Sequence, residues 1–254
     1  MEFAENNNKE ITMRRFALCL LLCLMSLPDS PLRADTRTPQ QLSELTSRSR
    51  LLCASALLYF DPQQRSPDPR SLTAVYYHLN TLETLVLQLG QPAALQAPLA
   101  ALKGTFASLD RLPPEAGASY PALIEQLLQQ QRQLQLAAEV AGQGDSLLQR
   151  QSRDLAELLL DYQVRHYHWP HVRTELLERD RRERLDVDVR QRFTRMEQEL
   201  PQHADALRAI ARHYQFVRSQ LLSPARGSGG GAEFYLSRAV LDLDELAASL
   251  AEEM

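Results

Sequence analysis

SRDLAELLLDYQVRHYHWPH, residues 152–171, holds the longest dense apolar run after the N-terminus, the only tryptophan (Trp169) and three of the six histidines. With Leu148 just before it, Leu155, Leu159, Tyr162, His166 and Trp169 fall near one face of an ideal helix. The spacing predicts a helix over 146–169, capped by Asp145 and interrupted by Pro170, whose ring cannot continue the hydrogen-bond ladder.

The same period runs through the rest of the chain. Leu72, Val75, Leu79, Leu82, Val86 and Leu89 alternate spacings of three and four, an unbroken seam opened by Asp68-Pro69 and closed by Gly90. A helix is expected from the Thr38-Pro39 cap to about residue 60, where Asp61-Pro62 stops it. Others follow over 92–112, with Pro98 inside or marking the start, and over 120–141, with a glutamine-rich outer face. The remaining helices span 171–200, 202–222 and 233–253, with a flexible loop at 224–232 (PARGSGGGA). Residues 178–184 (ERDRRER) read as a solvated face, with Glu178/Arg182 and Asp180/Arg184 one turn apart. No strand-like alternation occurs anywhere. The fold class is all-α: an up-down helical bundle of about seven to eight helices.

A weak internal repeat sets Ser49-Arg50 over Ser152-Arg153, and Leu57 and Tyr59 over Leu160 and Tyr162. It suggests a first helical half, 35–144, and a second, 145–254, either as two duplicated four-helix units or as one fused bundle. In outline this arrangement is similar to the helical sensing modules of bacterial transmembrane receptors. The similarity implies a sensor-like fold and assigns no residue a role.

Residues 1–34 read as a secretory signal segment whose true start is Met13: Arg14-Arg15 is basic, 16–27 is apolar, and Ala34 offers a small residue for cleavage. The apolar part is short for a membrane span, so the membrane is reached only through this segment if it stays uncleaved. The expected location is therefore the periplasm. The segment carries four acids and four bases, so its removal leaves the net charge of −4 unchanged. That balance favours no nucleic-acid partner. Cys53 would be the one cysteine left in the exported chain, and it cannot close an internal disulfide.

Two constellations could carry chemistry. Arg50 and Arg153, each within an apolar stripe and accompanied by Tyr59 and Tyr162, could grip a small anionic ligand bidentately. His166, His168 and His171 straddle Pro170 and could hold a divalent metal, although His166 and His168 lie about 200° apart on a regular helix. No positioned base accompanies Cys53 or Ser228, so neither reads as a nucleophile. The expectation is an exported, non-enzymatic binding protein of the bacterial envelope, sensor-like or adaptor, without a cofactor. Its partner would be a small ligand or an envelope protein. The alternative is a periplasmic metal-binding protein using the three histidines.

Overall fold

The computed structural model describes residues 37–63, 67–142, 144–171, 176–223 and 230–253. The expected signal segment lies outside them, as do 224–229 of the expected loop and Val172 near the start of the helix expected over 171–200. Eight α-helices and no strands are present among the described residues. They are α1 (Arg37–Tyr59), α2 (Pro69–Gln88), α3 (Ala93–Asp110), α4 (Tyr120–Ala141), α5 (Leu147–His166), α6 (Arg179–Glu199), α7 (Ala204–Leu222) and α8 (Gly230–Glu253). The protein is an all-α helical bundle. No helix among the described residues is long and apolar enough to cross a membrane.

Local chemistry sets most of the boundaries. Asp68 caps α2 by accepting from the Arg70 amide at 2.9 Å. At its other end Gln91 N–H donates to Val86 and Gly90 N–H to Leu87, the paired closure that requires a left-handed residue, supplied by Gly90 at φ 78°. Pro98 remains inside α3. Ser146, rather than Asp145, caps α5: its hydroxyl accepts from the Gln149 amide, and the Gln149 side chain reaches back to the Ser146 N–H. Asp145 instead meets the Arg153 guanidinium. Thr38 stands inside the first turn of α1, which begins at Arg37.

Four expectations are corrected. The helix over 146–169 ends at His166, because Tyr167 is extended (ψ 142°) and buries its ring, with its hydroxyl donating to the Phe60 carbonyl at 3.1 Å. The helix expected from His171 begins at Arg179, and residues 230–232 of the expected loop already belong to α8. The charged run 178–184 is not solvated throughout. Arg182 is buried, its Nε 2.7 Å from Asp161 Oδ2.

Helices α1 and α5 form the centre. The first packs against α2, α4, α5 and α8; the second packs against α1, α6, α7 and α8. A single apolar core runs from Leu42 through Leu155 and Leu159 to Leu243, so the two expected halves share one interior. Of the matched pairs, Ser49 with Ser152 and Leu57 with Leu160 are buried alike, whereas Tyr162 is buried and Tyr59 only partly so. Burial of Val75, Leu79, Leu82 and Val86 in the α2 seam stabilises the fold by roughly 1.5–3 kcal/mol each relative to exposure, whereas Leu72 and Leu89 are only partly buried.

Polar groups enter this core in pairs. Asp161 is fully buried and accepts from Arg165 Nε (3.0 Å), Arg182 Nε (2.7 Å) and the Leu177 amide (2.9 Å). Asp244 accepts from Ser47 Oγ at 2.9 Å and from Ser152, with Arg48 Nε 3.5 Å away. Glutamines 131 and 135 of the expected outer face of α4 are buried as well, and Gln131 Nε2 donates to Ser49 Oγ at 3.2 Å.

Candidate functional site

A large cavity opens where α1 and α5 end and where α2 and α8 begin. It has a volume of about 1030 Å³, at the upper end of the roughly 300–1,000 Å³ usual for small-molecule sites. Leu57 and Leu58 reach it from the last turns of α1, Ala74 from α2, and Phe234 and Leu241 from α8. These give it an apolar lining. Tyr167 adds an aromatic wall, backed by Trp169 at a ring distance of 4.5 Å. The Trp169 Nε1–H donates to the Val164 carbonyl at 2.9 Å and so satisfies one of the open carbonyls at the end of α5.

Most of the charged side chains around the groove lie against an opposite partner within the protein. His168 Nδ1 lies 2.8 Å from both carboxylate oxygens of Asp61. Arg70 grips Asp68 through Nε and Nη2, holding that carboxyl below its ordinary range. Arg238 pairs with Asp242 at 2.9 Å. Glu233 accepts from Ser55 Oγ at 3.0 Å, and burial raises its carboxyl above the ordinary value. Other polar groups of the lining residues lie outside these pairs. Gln163 Nε2 and Ser237 Oγ are buried and have no hydrogen-bond partner among the described residues. Gln163 as a whole is only 3% exposed.

The arginines expected to bind an anion are engaged elsewhere. Arg50 donates from Nη1 to the Arg153 carbonyl at 2.8 Å and sits 3.3 Å from Glu157 through Nη2. Arg153 meets Asp145 beside a smaller cavity of about 200 Å³, which Glu139 also lines. Two carboxylates facing that space oppose an anion. Neither Tyr59 nor Tyr162 lines the large groove; Tyr162 instead packs against the His166 ring at 4.0 Å.

The three histidines are also separated by role. His166 and His168 both line the groove, with His166 Nδ1 2.8 Å from the Tyr162 carbonyl and His168 committed to Asp61. His171 is exposed and outside it. Among the described residues no group of three or more His, Cys, Asp or Glu side chains is placed to hold a metal ion. Cys53 is fully buried, and burial pushes its thiol up, away from the nucleophilic thiolate.

The sequence did contain a trace of the groove. Gln163 interrupts the apolar run LLLDYQV one turn after Leu159, the kind of polar intrusion on a buried face that calls for a partner. Asp61, Glu233 and Ser237 carry no comparable signal, because only the fold brings the four helix ends together. No protein-family model, curated protein or solved structure matches the chain at a significant level.

Proposed function

We propose that the protein is an exported, non-enzymatic binding module of the bacterial envelope, sensor-like or adaptor in type, and that it takes a small ligand in the groove at the ends of α1, α2, α5 and α8. The observation that carries this reading is a cavity of about 1030 Å³ with an apolar lining, in which Arg70, Arg238 and His168 each lie against a carboxylate of the protein. Such a lining gains by covering itself with an apolar body, since each square ångström removed from water is worth roughly 25 cal/mol. The periplasmic location rests on the order of residues in 1–34. The helix ends around the groove belong to four different elements, so a ligand there bridges parts of the chain far apart in sequence. That is the arrangement a sensor needs if occupancy is to bias how its helices pack.

The test uses 1-aminoanthracene, a neutral fluorophore that brightens in apolar surroundings. Enhanced emission with the wild-type protein, lost when Ala74→Trp fills the groove, supports the reading. No enhancement, or equal enhancement with the blocked variant, removes it.

A further inference from the structure

Resting on the groove reading above, we infer that the ligand is an amphipathic amine, with an apolar body and one ammonium head, and that Glu233 receives that head. Glu233 lines the groove from the first turn of α8. One of its carboxylate oxygens, Oε1, accepts from the Ser55 hydroxyl at 3.0 Å. The other, Oε2, has no hydrogen-bond or ion-pair partner among the described residues, yet it is not sealed inside the protein as Gln163 Nε2 and Ser237 Oγ are. It is therefore reachable from solvent. The first turn of a helix suits an acid, because the dipole there is positive, but that attraction does not require the carboxylate to leave water. Here burial raises the carboxyl above its ordinary value; the Ser55 bond and, more weakly, Arg70 oppose the rise, and Asp68 adds to it. A carboxylate that loses hydration without a counter-charge is unfavourable, and an ammonium beside Oε2 supplies one.

The balance of charge around the groove has the same sign. Arg70 lies against Asp68 and Arg238 against Asp242, so each guanidinium has its own carboxylate. Asp61 faces His168, and Glu233 is left over. Four carboxylates (Asp61, Asp68, Glu233 and Asp242) thus stand against two guanidiniums and the His168 ring, and the surplus is negative whether or not that ring is protonated. His166 is turned to the Tyr162 carbonyl. An anionic head meets this surplus as repulsion and an alcohol gains little from it, whereas an ammonium is attracted and donates to Oε2. From Glu233 the apolar body lies over Leu57, Leu58 and Leu241. Leu241 stands eight residues further along α8, about 12 Å along the axis by the helical rise, a span that an extended ten-carbon chain matches.

The experiment compares three ten-carbon amphiphiles that differ only in the head: decylammonium, decanoate and 1-decanol. Each is titrated against the 1-aminoanthracene complex of the full chain at neutral pH. Decylammonium is expected to displace half the dye at a concentration at least about ten-fold below either of the others. In Glu233→Gln, which keeps the shape of the side chain and an acceptor for Ser55, the advantage should shrink to about three-fold or less. Glu233→Ala provides the same readout should the first variant fail to fold. Glu245→Gln removes an equal charge from an exposed position of α8 outside the groove and should leave the advantage intact. If decanoate or 1-decanol displaces the dye as well as the amine does, the inference is overturned while the groove reading survives. The same holds if the folded Glu233 variant keeps the preference, or if Glu245→Gln narrows it equally. If the dye never binds, both fall together.

Discussion

The Arg50 guanidinium donates from Nη1 to the main-chain carbonyl of Arg153 at 2.8 Å, so two arginines matched in the sequence meet where α1 packs on α5. The second lone pair of a helical carbonyl is open to such a bond without breaking the ladder. With Glu157 at 3.3 Å, the contact fastens the two central helices. Arg50→Met keeps most of the stem and removes the guanidinium. It should destabilise the fold by about 1–3 kcal/mol, a fall of several degrees in Tm by circular dichroism, with 1-aminoanthracene binding unchanged. Lost binding at unchanged stability would return Arg50 to the ligand site.

Asp161 is the more demanding contact. It is fully buried and answers both Arg165 and Arg182, while Arg165 also donates to the Leu221 and Ser223 carbonyls at the end of α7. Asp161→Asn leaves two guanidiniums facing a neutral amide, and breaking a buried pair in this way costs roughly 3–5 kcal/mol. For a chain of this size the expected Tm loss is on the order of 10 °C. A loss within a degree or two would mean that water already shares the site.

How much of this was readable follows from how far apart the partners lie. The α2 seam, the Asp68 cap and the Gly90 closure are local, set by residues within two turns, and the structure reproduces them. Asp161 and Arg182 are 21 residues apart, and His168 and Asp61 are 107 apart. No helical period connects such pairs, so Arg182 read as solvated and His168 only as a candidate metal ligand, without its Asp61 contact. The groove was illegible for the same reason, since its walls are the ends of four helices rather than a motif.

Two buried groups at the centre should make stability depend on pH in opposite senses. Desolvation raises the Asp244 carboxyl from its ordinary 3.8 to about 7, against the pull of Arg48 and with a push from Glu44. The folded state then holds a proton that the unfolded chain releases, so this part of the stability is full below about pH 4 and is lost as pH rises to 7. His78 is the reverse: burial, then Arg48, lowers it from 6.5 to about 3. Its contribution is full above pH 6.5 and drains away as the solution is acidified toward 3. Between pH 4 and 6.5 the two slopes oppose each other in the wild type. Urea unfolding across that window should show stability rising with pH in Asp244→Asn and falling with pH in His78→Leu. Parallel slopes in the two variants would contradict the assignment.

The aromatic residues at the start of α8 separate surface from site. Phe216 of α7 and Phe234 of α8 are 63% and 64% exposed, and both rings lie against Tyr235, at 4.6 and 5.2 Å. Only Phe234 also lines the groove. Because both are largely solvated, replacing either with serine should alter stability by no more than about 0.5 kcal/mol. Their effects on binding should differ. Phe234→Ser removes apolar surface from the groove rim and should weaken 1-aminoanthracene binding several-fold, whereas Phe216→Ser should leave the dissociation constant as it was. Equal losses in both variants would move the binding surface out of the groove and onto the aromatic face shared by α7 and α8. Equal retention would place the dye deeper, against Leu57 and Leu241, where Leu241→Ala becomes the informative change.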